Sequence, residues 1–85
     1  MYTVYILQSD RTKRYYIGYT SNLERRLEFH NQGMTRSTKH GAPWSVVHRE
    51  QFETKSEALL REQAIKSYRG NSRFKKLVST EPEVP

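Results

Sequence analysis

Cysteine is absent from this chain, and that one absence removes disulfides, thiolate zinc sites, iron–sulfur ligation and thiol nucleophiles together. Aspartate occurs once, as Asp10, so a metal cage built from two carboxylates is hard to assemble. Long apolar runs are missing too. No stretch is long enough to span a bilayer, none reads as a signal peptide, and there is no Lys-rich amphipathic helix with a broad apolar face. The expectation is a cytoplasmic protein with no membrane contact and no disulfide-linked partner. At 85 residues, 34% of them apolar, there is room for one domain with a small core. What the chain has in excess is positive charge. Lys and Arg total 15 against 9 Asp and Glu, a formal net charge of +6, so the expected partner is a polyanion, nucleic acid first.

The first residues, Val4-Tyr5-Ile6-Leu7, alternate in β-branched and aromatic types that suit a strand starting near the N-terminus. Residues 9–14 are polar and basic. Residues 15–19 return to strand composition, so the pair reads as a β-hairpin with a charged loop. Ser21 or Asn22 can cap a helix that ends near Gln32-Gly33. Residues 34–43 carry the loop signals of Gly41 and Pro43, and residues 44–52 read as a third strand. Thr54 and Glu57 have the spacing of a capping box, with threonine bonding forward and glutamate back. A helix over about residues 55–68 follows, broken by Gly70-Asn71. A short basic helix through Lys75 and Leu77 completes a domain over residues 1–78, and residues 79–85 read as a flexible tail.

Helix phase separates residues that adjacency would merge. At about 100° per residue, Leu23, Leu27 and His30 share one side of the first helix with Arg26 on their flank, while Arg25 points nearly the opposite way. Arg26 and His30 are four apart on one face. Spacing alone also fits a flanking arginine over apolar surface and a satisfied, half-buried histidine. In the second helix Ala58, Glu62 and Ile65 share a face, which sets a carboxylate within an apolar stripe. Such a group needs a cation, so Glu62 either pairs with Lys66 or Arg61 or points into a cleft that holds a metal ion. Trp44 reads as a packing residue, and His40 and His48 as surface residues.

Taken together these residues resemble the GIY-YIG nuclease superfamily. Val4-Tyr5-Ile6 is similar to its first motif, with valine for the leading glycine, and Tyr16-Ile17-Gly18 matches the second. Arg26 follows eight residues after Gly18, where the family has its catalytic arginine, His30 stands where many members have a histidine, and Glu62 falls where the family has its metal-binding glutamate. The similarity extends over about residues 2–78, and is nearest to the small single-domain members. The resemblance implies an α+β fold with a small three-stranded antiparallel sheet flanked by helices, in the order β-β-α-β-α-α. It implies a metal-dependent endonuclease acting on DNA phosphodiesters, structure-specific in repair or recombination, with Tyr5, Tyr16, Arg26, His30 and Glu62 at the catalytic site. It also implies that Glu62 binds Mg²⁺ or another divalent cation such as Mn²⁺.

The implied roles suit the chemistry. Arg26, permanently charged and planar, matches non-bridging phosphate oxygens, and one carboxylate with waters and substrate phosphate is a reasonable Mg²⁺ site. Tyrosine ordinarily ionises near pH 10, so a tyrosine base needs cations beside it. Family mechanisms favour Tyr16 as base with Tyr5 orienting water or phosphate, though they differ on that division. Arg11, Lys13 and Arg14 in the hairpin loop, Arg36 and Lys39 in the middle loop, and Lys66, Arg69, Arg73, Lys75 and Lys76 toward the end form a candidate phosphate-tracking surface. A second reading keeps the fold and the cations but not the cleavage: a non-catalytic nucleic-acid-binding module. Such a binder has no need of Glu62. Oligomeric state leaves no trace in the sequence.

Overall fold

A computed structural model describes residues 1–79, and residues 80–85, most of the expected tail, lie outside that range. The order is β1 (Tyr2–Ser9), β2 (Tyr15–Thr20), α1 (Leu23–Asn31), β3 (Trp44–Phe52), α2 (Lys55–Ser67) and α3 (Ser72–Val78). The fold is α+β, and the three strands form one antiparallel sheet in the order β2-β1-β3. No helix among the described residues is long and apolar enough to cross a membrane.

β1 is the central strand and both its faces are covered, which is why it alternates between apolar residues and not between apolar and polar ones. Val4 and Ile6 pack with Ile17 against Ala58 and Ile65 of α2 and Phe74 of α3. Tyr5 and Leu7 pack on the opposite face with Trp44, against Leu23 and Leu27 of α1. Val4 is fully buried, so the side chain that replaces the family's glycine fills the α2 side of the core and takes no place beside the tyrosines.

The helix ends follow local rules. Asn22, not Ser21, caps α1 by accepting from Arg25 N at 3.1 Å. Thr54 Oγ1 accepts from Glu57 N at 3.2 Å, but the return bond differs from the expected box: the Glu57 carboxylate accepts from the Thr54 hydroxyl at 2.8 Å. Asn71 is the cap of α3, accepting from Arg73 N at 2.9 Å and Phe74 N at 3.3 Å. Gly70 just before it has φ 88°, a left-handed turn that lets the chain leave α2.

Residues 32–43, between α1 and β3, are pinned by side chains. The indole N–H of Trp44 donates to Thr38 O at 2.8 Å, and Asn31 Oδ1 accepts from Trp44 N at 2.5 Å. Ser9, fully buried, donates to Gly41 O at 2.5 Å while its oxygen accepts from Arg11 N at 3.1 Å and Thr12 N at 2.9 Å. One hydroxyl therefore joins the hairpin turn to this loop.

On the α2 side, Arg61 pairs with Glu50 of β3 through Nε and Nη2 at 3.0 Å, and His48 Nε2 lies 2.7 Å from Glu50 Oε2. This corrects two expectations: Arg61 is not the partner of Glu62, and His48 is half-buried in a pair and not a surface residue. Burial alone would raise the Glu50 carboxyl. The hydrogen bonds from Arg61 and His48 outweigh it and hold that carboxyl below its ordinary value.

Two measurements test this packing. Ser9→Ala leaves a buried carbonyl and two amides without a partner, so the urea midpoint falls by the equivalent of about 1–3 kcal/mol. An unchanged midpoint shows that the hydroxyl is not the tie described. Because Glu50 is depressed in the folded state, its contribution is present above about pH 4.5, the ordinary value, and is lost as pH falls through the lower folded value. Glu50→Gln is accordingly less stable than the parent at neutral pH by about 1 kcal/mol, and the gap narrows in acid. A gap that holds constant from pH 7 to pH 2 refutes the pairing.

Candidate active site

Residues on opposite faces of a sheet meet only where the sheet ends, and β2 is an edge strand. In the β1–β2 register Tyr5 lies opposite Gly18, and Leu7 lies opposite Tyr16. The Tyr5 ring therefore runs across the backbone at Gly18. A Cβ at Gly18 would stand 2.7 Å from Tyr5 Oη and 2.9 Å from Cζ, so only glycine permits this crossing. The cleft at this edge, about 480 Å³, is lined by Tyr5, Tyr16, Gly18 and Arg26 from the α1 side and by Lys55, Glu62 and Lys66 from α2. Four elements, β1, β2, α1 and α2, contribute to it.

Each side chain is held differently. Tyr5 is 2% exposed, and its hydroxyl lies 3.3 Å from His30 Nε2. Tyr16 is half-buried, stacked on Tyr5 with centroids 6.4 Å apart and tilted against His30 at 4.7 Å. His30 is 1% exposed and lies behind Tyr5, not on the cleft wall. Its Nδ1 is 2.8 Å from Thr38 Oγ1. Arg26 is exposed and reaches the cleft, whereas Arg25 lies over Phe29 at 5.9 Å and does not line the cleft.

Electrostatics separates the two ring systems from solution behaviour. Burial, with Tyr16 close by, pushes the Tyr5 phenol well above the usual tyrosine range, and the Arg26 charge opposes this only in part. Burial lowers His30 below its ordinary value and Arg26 lowers it further, so His30 is neutral at neutral pH.

Glu62, 7% exposed, pairs with Lys66 at 2.5 Å, one turn along α2. The pairing with a neighbouring base is as one of the two expectations had it, and the carboxylate also lines the cleft. The fit to a divalent cation follows from the donor set. No group of three or more His, Asp or Glu that could hold a metal occurs among the described residues, so an ion here has one carboxylate and takes its other ligands from water or substrate. Mg²⁺ is commonly held in that way, and a carboxylate has about four lone-pair sites, so the Lys66 pair leaves capacity for it.

Of the ten surface cations proposed from sequence, Lys66 lines the cleft. Arg69 donates to Tyr15 O at 3.0 Å, which sets it beside the start of β2. Arg73 lies over the Tyr68 ring at 5.4 Å. Arg11, Lys13 and Arg14 in the hairpin turn, Arg36 and Lys39 before β3, and Lys75 and Lys76 on α3 are exposed and away from the cleft lining. Trp44 is buried, as a packing residue. Sequence reasoning missed Lys55 and Thr38. Lys55 had a signal, since residues 55, 62 and 66 fall on one side of a helix. Thr38 had none, because loop geometry has no period.

Residues 1–76 match the GIY-YIG catalytic domain family. A UPF0213 protein of Haloquadratum walsbyi is 46% identical over 67 residues, covering 76% of this chain and 73% of that protein. A UPF0213 protein of Staphylococcus saprophyticus is 46% identical over 63 residues, 73% of each chain. The solution NMR structure of a UPF0213 protein from Bacillus halodurans is similar with a TM-score of 0.51 at 31% identity, covering 89% of this chain and 80% of that one. A domain match over nearly the whole chain, with relatives and a solved structure of the same fold, places the protein in the GIY-YIG catalytic domain family.

Proposed function

We propose that the protein is a metal-dependent endonuclease that hydrolyses phosphodiester bonds of DNA in the cytoplasm, on branched or flapped intermediates of repair or recombination. The observation that carries this reading is the convergence of Tyr5, Tyr16, Arg26 and Glu62 on one cleft from four separate elements. A domain that only binds needs the cations and has no reason to keep a carboxylate among them.

Hydrolysis requires a proton to leave the attacking water, the added charge on phosphorus oxygens to be offset, and the departing oxygen to be stabilised. Tyr16, held against the Tyr5 ring and His30, first releases its own proton to solvent and then, as the phenolate, receives the water proton. Tyr5 orients that water or the phosphate. Arg26 binds the non-bridging oxygens with two parallel N–H donors and strengthens its hold as charge develops there. Lys55 and Lys66 draw the strand into the cleft. A Mg²⁺ or Mn²⁺ ion on Glu62 would supply positive charge at the departing oxygen. The exposed cations of the hairpin turn, middle loop and α3 bind backbone phosphates on either side, without reading bases.

Purified protein therefore nicks DNA in Mg²⁺, assayed on a panel of linear, branched, flapped and single-stranded substrates. Arg26→Ala and Glu62→Ala each lower the cleavage rate by more than about 100-fold while the circular dichroism spectrum is kept. Neither weakens binding to DNA in the absence of metal by more than about tenfold. If both variants cut as well as the parent, the site is misassigned. If the parent cuts nothing with any divalent metal yet binds DNA, the protein is a binding module.

A further inference from the structure

Behind Tyr5 a line of buried polar groups leads away from the cleft to a loop that no catalytic role involves. We infer that Thr38 holds His30 in the tautomer with the proton on Nδ1, so that Nε2 accepts from the Tyr5 hydroxyl and Tyr5 faces the cleft as a neutral phenol with its proton committed inward. Thr38 and His30 are thus positioning residues, and Tyr5 is withdrawn from service as a base.

The direction of the hydrogen bonds follows from counting donors. Tyr5 Oη lies 3.3 Å from His30 Nε2, His30 Nδ1 lies 2.8 Å from Thr38 Oγ1, and Thr38 Oγ1 donates to Thr35 O at 3.4 Å. Thr35 O can only accept. It takes the Thr38 hydroxyl proton, which leaves Thr38 Oγ1 as acceptor for an N–H on Nδ1. His30 Nε2 is then a bare acceptor, and the Tyr5 hydroxyl donates to it. Run the other way, the Thr38 hydroxyl turns to Nδ1, Thr35 O loses one of its two donors, and the phenol proton finds no protein acceptor among the described residues, only water in the cleft.

The far end of the line is fixed. Thr38 is 1% exposed, its carbonyl accepts the Trp44 indole N–H at 2.8 Å and Gly41 N at 3.1 Å, and its own amide donates to Thr35 O at 3.1 Å. The loop therefore offers His30 an oxygen in a set place. A tyrosine whose proton points inward presents lone pairs to the cleft without charge, so it can accept from a water and does not repel phosphate. Proton removal then falls to Tyr16, whose hydroxyl has no such tie among the described hydrogen bonds.

The catalytic consequence rests on the endonuclease reading; the tautomer does not. Two-bond ¹H–¹⁵N NMR of the whole protein at neutral pH reads the imidazole directly. In the parent, His30 shows Nδ1 protonated and Nε2 bare. Thr38→Val, which keeps the shape and removes the acceptor, gives a mixture of tautomers and lowers kcat by about 10- to 100-fold, with KM within about twofold, the scale seen when a functional histidine loses its orienting partner. Thr38→Ser restores the parent tautomer and kcat. The proposal is overturned by an Nε2-protonated or charged His30 in the parent, a measurement that needs no variant to fold. It is overturned equally by a Thr38→Val protein with the tautomer unchanged, or with the tautomer changed and kcat intact. A parent that cleaves nothing removes the endonuclease reading, and the ring nitrogens still decide the tautomer.

Discussion

The crossing of the Tyr5 ring over Gly18 is the contact on which the cleft depends. It exists because β1 and β2 pair in a register that sets these two residues opposite each other, and because one of them has no side chain. A slip of one residue would turn Tyr5 toward α2 and Val4 toward α1, exchanging the two cores. The register is therefore held by the burial of both faces of β1, and the position of the phenol is a by-product of ordinary packing. Being at the sheet edge matters as much. Only there can a residue of the α1 face come within charge range of Glu62, which feeds into the raised Tyr5 phenol.

Burial then divides two tyrosines of the same type. Tyr5 is fixed from behind by His30 and desolvated, while Tyr16 lies over it, half-exposed, with ring contacts alone. Family mechanisms disagree over which one takes the proton, and the sequence holds nothing to choose between them. The difference arises from the depth of each in the fold. It comes from α1, which lays His30 edge-on to the first ring and tilted against the second.

What could be read from the sequence was what has a period. Helix phase separated Arg26 from Arg25 and put Ala58, Glu62 and Ile65 on one buried face, as the structure has them. Alternation located the strands, and the capping rules located both long helices to within a residue. Contacts that close between distant segments were not legible. The partner of Arg61 is Glu50, eleven residues back across a turn, and helical spacing can never propose it. Asn71 reads in the sequence as part of a helix break, and in the structure its oxygen caps α3. Thr38 lies in a loop where nothing but three-dimensional closure gives it His30 as neighbour.

The cleft is positively charged even before the wider surface is considered. Arg26, Lys55 and Lys66 line it with a single carboxylate. On the proposed reading a divalent cation at Glu62 must approach three like charges, and Lys66 competes for the same oxygen. A phosphate changes this balance, since it neutralises the lysines and offers the ion further oxygens. Binding of metal and of nucleic acid are then linked, each raising affinity for the other by the same factor. Such a site discriminates against free metal and free water alike. On that reading it assembles where a strand has already been drawn in by charge, and the +6 excess of the chain would then belong to the chemistry as much as to the binding.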